Sequence, residues 1–211
     1  MLIDNINPKK KTLMKNNTQN LTLTALMAAV LCIVGPWVIP IGMVPMSLTN
    51  MVIYLTIILL DKKNAIISVI LYLLIGFVGL PVFSGFTGGA GKVFGPTGGY
   101  LIGYLVLCLI ASGILEIPGK GKKTSKIWSD KPLSGEKSVV KVKRIKQILA
   151  LTAGTLGLYL FGTLWLMFQS KLGFVTALSI GVLPFLPFDI GKIVAAVCLG
   201  NAVKKRIRSI R

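Results

Sequence analysis

The chain has 211 residues, 54% of them hydrophobic and 14% charged, with a mean hydropathy of +0.78 and a formal net charge of +18. That balance excludes an ordinary soluble domain and fits an all-α integral membrane protein, with room for six transmembrane helices of about 20 apolar residues each and no second domain. Histidine is absent, and Cys32, Cys108 and Cys198 lie in apolar runs without CxxC spacing, which argues against zinc, haem or a disulfide framework and leaves core packing as their role.

Residues 1–20 are polar and basic and lack the apolar core and cleavage site of a secretory signal, so the first span is expected to remain in the mature protein. Apolar stretches at about 21–39, 46–60, 65–80, 98–115, 147–168 and 187–203 predict six spans and one membrane domain over 21–203. With the amino terminus inside, the basic residues of 9–15, 62–63, 120–146 and the tail 204–211 share one side, and only Lys92 and Lys171 fall on the other. The positive-inside rule then places both termini in the cytoplasm. Topogenesis and attraction to anionic lipid account for the charge, so no nucleic-acid partner is implied.

In the first span, Ala25 and Ala29 form a small-xxx-small pair that lets another helix approach; such pairs also arise by chance. The first outer loop, Gly35 to Pro45, carries three prolines and Trp37, and must fold back on protein. Trp37 is read equally as a ligand-stacking ring and as an interfacial anchor. Between the third and fourth spans the chain turns Gly-rich, with Gly85, Gly88, Gly89, Gly91 and Gly95 before Gly98-Gly99. Gly88 and Gly89 offer backbone N–H groups to a ligand, and Phe83, Phe86, Thr97 and Tyr100 make the stretch a candidate lid, with a bland connector as the alternative. Gly91-Lys92 does not complete a Walker A pattern, because Phe86 stands where Gly is needed and Val93 where Ser or Thr is needed.

Residues 116–146 are polar and basic and are expected to form a largely mobile cytoplasmic loop. The fifth span holds Tyr159, Thr163, Trp165 and Gln169, of which Tyr159 is placed toward the cavity. Phe174 to Leu183 is too short to cross twice and predicts a re-entrant or interfacial helix. Beyond Pro184 and Pro187, which bar a regular helix before it, Asp189 opens the sixth span with Lys192 three residues on, so both charges share one face near a helix N-terminus. Asp189 is the acid nearest the outer half of the membrane, and ionised groups there cost about 2.5 to 3.5 kcal/mol unless they face a partner, water or ligand. The pair is the candidate binding site; a cap and structural brace is the alternative.

Leu80-Pro-Val-Phe83 with the Gly-rich run, Gly95-Pro-Thr-Gly-Gly-Tyr-Leu-Ile-Gly103, Tyr159-Leu-Phe-Gly162 and Gly181-Val-Leu-Pro-Phe-Leu-Pro-Phe-Asp-Ile-Gly-Lys192 together resemble the BioY family, the biotin-binding S components of energy-coupling factor (ECF) transporters. The resemblance implies a six-helix subunit of a bacterial cell membrane that takes biotin at Asp189 and Lys192. It also implies a transmembrane T component and two ABC-type ATPases as partners, with Ala25 and Ala29 as the docking residues. Two features depart from that pattern: Phe188, where Gly is expected, and a longer 116–146 loop. An S component for another vitamin, or a solitary biotin transporter, are the alternatives.

Overall fold

Apolar runs satisfy their own backbone only as helices when water is absent, and helices dominate the computed structural model, which describes residues 8–39, 44–117 and 136–209. In chain order the described elements are α1 (Pro8–Val34), β1 (Val38–Ile39), β2 (Met46–Ser47), α2 (Thr49–Leu59), α3 (Lys62–Phe77), α4 (Ala90–Val93), α5 (Gly98–Glu116), α6 (Glu136–Ser170), α7 (Phe174–Gly181) and α8 (Leu186–Ser209). Three helical stretches are long and apolar enough to cross a membrane, Gly98–Glu116, Val142–Ser170 and Leu186–Arg206, while Thr18–Val34 and Thr49–Leu59 are apolar but shorter. The protein is a membrane protein.

Helix α5 packs along α6, α2 along α8, and α1 along α3, which also meets α5. The main core gathers Leu31, Ile53, Tyr54, Val69, Tyr72, Leu107 and Leu151, and Tyr54 and Thr155 share a buried hydroxyl hydrogen bond of 2.7 Å between α2 and α6. A second, smaller cluster joins Val44, Met46, Tyr159, Leu166, Val182 and Phe185.

Two segments differ from expectation. The loop expected over 116–146 is shorter, because α6 already begins at Glu136 and runs for 35 residues; residues 118–135 lie outside the described residues. Ten residues into α6, Lys146 donates to the Leu115 and Ile117 carbonyls, at 3.2 and 2.6 Å, where the end of α5 leaves acceptors unpaired. Likewise α1 begins at Pro8, within the segment expected to be a polar extension, since proline is tolerated in a helix's first turn. In the Pro-rich stretch after α1, the expected return on protein is seen at its described ends, which form the antiparallel pair β1–β2 with Val38 opposite Ser47 and Ile39 opposite Met46.

At the end of the bundle that holds Lys146, Gln147 on α6 and Asn201 on α8 form an amide pair, Asn201 Nδ2 donating to Gln147 Oε1 at 2.9 Å. Gln147 is buried. Asn201→Leu leaves it without that partner and is expected to cost about 1–3 kcal/mol, read as a lower unfolding temperature in detergent, with Gln147→Leu in the same chain restoring most of the loss. Equal stability of the single variant and the wild type would show that the pair contributes nothing.

Candidate functional site

Prolines need no N–H in a helix's first turn, so α8 starts at Leu186 with Pro187 inside that turn, and Asp189 N–H reaches the Phe185 carbonyl at 2.8 Å. The side chains of Asp189 and Lys192 then stack on one face. Lys192 Nζ donates to Asp189 Oδ1 at 2.9 Å and to the Ser47 carbonyl at 2.8 Å. On the other carboxylate oxygen, Tyr159 Oη donates at 2.5 Å from α6 and Asn50 Nδ2 at 3.2 Å from α2. Asp189 is 3% exposed and Lys192 9%, so an ion pair with three further hydrogen bonds is withdrawn from water. Such a pair survives only because those bonds offset much of its desolvation cost.

The strand pair explains how Ser47 arrives there. The Ser47 and Thr49 hydroxyls hydrogen-bond each other, and Thr49 N–H donates to Ser47 Oγ at 3.0 Å, which turns the chain from β2 into α2. That turn leaves the Ser47 carbonyl aimed at Lys192 and sets Asn50 in the first turn of α2. A cavity opens beside the cluster, with about 400 Å³ of space not filled by atoms, its open mouth included. Val44, Pro45, Leu158, Phe185 and Gly181 line it together with Tyr100, Tyr104 and the polar cluster. Such a mixture of apolar and polar lining suits a small amphipathic molecule.

Of the residues singled out in the sequence, Asp189, Lys192, Tyr159 and Tyr100 line this cavity. Gly88 and Gly89 do not; Gly88 is pressed on the Leu80 carbonyl, 2.2 Å from where a Cβ would stand, and Gly89 turns the chain at φ +88. Phe83 is fully buried in the core, edge-on to Tyr72 at 5.6 Å and lying over Gly76, so it anchors the Gly-rich stretch instead of covering the cavity. Thr97 stands at the N-cap of α5 without a side-chain cap bond. Phe86 is exposed, holds a left-handed backbone at φ +55 and meets Trp37 edge-on at 5.7 Å. Phe188 is 53% exposed and off the cavity wall, so the residue that departs from the Gly pattern does not narrow the site. Ala25 and Ala29 are exposed on α1, opposite its buried Thr24, Met27, Ala28 and Leu31.

The Gly-rich stretch is tied down at several points. Phe83 and Thr87 form a bridge, Gly89 N–H reaches the Gly76 carbonyl at 2.7 Å, and Gly85 N–H reaches the Pro36 carbonyl at 2.9 Å. From α6, Trp165 Nε1 donates to the Gly95 carbonyl and Gln169 Nε2 to the Phe94 carbonyl, both at 3.0 Å. Sequence reading passed over Asn50, Ser47 and Tyr104. Tyr104 follows Tyr100 by four residues and so shares its helix face, a signal that was available.

The BioY family model matches residues 8–209. The biotin transporter BioY2 of Lactococcus lactis subsp. cremoris is 34% identical over 185 residues, 87% of this chain and 89% of that protein. The biotin transporter BioY of Thermotoga maritima is 34% identical over 179 residues, 83% of this chain and 90% of its own. A crystal structure of the S-component for biotin from an ECF-type ABC transporter superposes with a TM-score of 0.75 at 28% identity, covering 90% of this chain and 93% of that one.

Proposed function

The chain belongs to the BioY family, and on that premise we propose that it captures biotin in the cavity beside Asp189 and delivers it as the substrate-specific subunit of an ECF-type ABC transporter. The observation that carries the reading is a buried acid and amine, joined by a tyrosine and an asparagine, in a cavity lined by both apolar and polar side chains. Biotin has a ureido ring with two N–H donors and one carbonyl acceptor, fused to an apolar thioether ring whose aliphatic tail ends in a carboxylate, the other group that Lys192 could meet. Asp189 accepts from the ureido N–H groups and Lys192 donates to the carbonyl, while the tail lies along Val44, Leu158 and Phe185.

In this reading α1, α2, α3, α5, α6 and α8 are the six spans, the cavity faces outward, and both termini lie inside, as the positive charge distribution requires. The Gly-rich stretch acts as a lid whose moving part is the exposed Phe86 ring beside Trp37, since the backbone at Phe83, Gly85, Thr87, Phe94 and Gly95 is held. Strain at Phe86 fits a segment with two positions. Energy comes from two ATP-binding cassette subunits through a transmembrane T component, which docks on the exposed Ala25 and Ala29 of α1, where small side chains allow close helix approach.

Calorimetric titration of the purified protein with biotin is expected to show one tight site, and competition with other vitamins to leave it occupied. Uptake by cells expressing this chain should rise when a T component and ATPases are co-expressed. A folded protein that ignores biotin would remove the ligand assignment; uptake indifferent to the partners would make it a solitary transporter.

A further inference from the structure

We infer that Asn50 reads one of the two ureido N–H groups directly, with Asp189 taking the other. This deepens the biotin reading and rests on it.

A carboxylate offers about four acceptor positions. Tyr159, Asn50 and Lys192 occupy three of those on Asp189. One position remains, enough for one N–H of a cyclic urea and not for both, unless Tyr159 or Asn50 lets go. Lys192 uses two of its three donors, on Asp189 and the Ser47 carbonyl, and keeps one for an incoming carbonyl oxygen.

Asn50 supplies what is missing. A carboxylate only accepts, so the amide must face Asp189 with its NH2 group, and its Oδ1 is turned to the other side. Asn50 is half-buried on the cavity wall, and its oxygen is neither hydrogen-bonded among the described residues nor sealed inside protein. The edge of the cavity therefore presents two acceptors, on Asp189 and Asn50, and one donor, on Lys192. A ureido ring presents two donors and one acceptor, which matches that set in number. Asn50 is thus a ligand contact as well as a prop for Asp189.

The two roles separate when the ligand is varied along with the protein. Biotin and its two monomethyl analogues, each carrying a methyl on one ureido nitrogen, are titrated into wild type, Asn50→Ala and Asn50→Ser; the serine variant retains a hydroxyl donor for Asp189 should the alanine variant unfold. Wild type is expected to reject both analogues. The variants should bind biotin on the order of 10-fold more weakly. They should also discriminate several-fold less against one methyl isomer while still rejecting the other, because the nitrogen facing residue 50 has lost the amide oxygen, and a serine hydroxyl on a side chain one bond shorter does not take its place. If the variants reject both isomers as strongly as wild type does, Asn50 only props Asp189 and the inference falls, while the biotin reading stands. If wild type does not bind biotin, the functional reading itself fails.

Discussion

Asp189→Asn is expected to weaken biotin binding at least on the order of 100-fold and to lower the unfolding temperature. Asparagine matches the carboxylate in shape, so the effect is electrostatic. Lys192, 9% exposed, would keep its ammonium with only the Ser47 carbonyl and a neutral amide as partners. Removing one member of a buried ion pair typically costs about 3–5 kcal/mol, since the other charge remains stranded. Adding Lys192→Met removes the stranded charge, and the double variant should regain stability without regaining the ligand. That contrast decides between a brace and a binding site: a brace predicts that binding recovers with stability. Calorimetry and thermal unfolding on the two single variants and the double variant give the answer, and wild-type affinity in Asp189→Asn would refute the assignment.

The second large effect is expected at glycines that hold a cavity-lining ring in place. The ring of Tyr100 is held between α6 and α7: a Cβ at Gly162 would lie 2.5 Å from its ring carbons, and one at Gly181 would lie 2.1 Å from its Oη, which donates to the Gly181 carbonyl at 3.2 Å. Real Cβ atoms essentially never show such distances, so Gly181→Val must displace the tyrosine that lines the cavity. Overpacking of this kind costs about 1–3 kcal/mol, and biotin affinity should fall about 10- to 100-fold through the displaced wall. Tyr100→Ala in the same chain removes the clash and should restore the unfolding temperature of Gly181→Val. A clash that persists without the tyrosine would place the glycine requirement elsewhere.

How far the sequence announces this site depends on chemistry. Asp189 and Lys192 are legible because an ionisable residue in an apolar span is expensive, and Tyr159 because it is a polar-tipped ring inside the fifth. Asn50 and Ser47 were not, since uncharged polar residues at span ends are common, and their contacts cross 139 and 145 residues of chain. The helices follow from apolar runs, yet composition misjudged where α1 and α6 begin, because polar, basic residues form helix as readily as they form loop. Phe83 shows the limit most clearly. An aromatic beside a glycine run reads equally as cover or as anchor, and what decides is Gly76, seven residues upstream on another element, which leaves room for the ring.

The length of α6 sets the protein's relation to the bilayer surface. At about 1.5 Å per residue, its 35 residues extend about 52 Å, against a hydrocarbon layer of about 30 Å. Burying the whole rod would demand a lean of about 55° from the membrane normal, beyond the range of about 0–40° that spanning helices adopt. Some turns of the helix must therefore stand clear of the lipid as a mast. Their charged beginning, from Glu136 through Lys146, marks the end that emerges into water, and a shortening there would change the height at which the chain meets whatever approaches the membrane from that side.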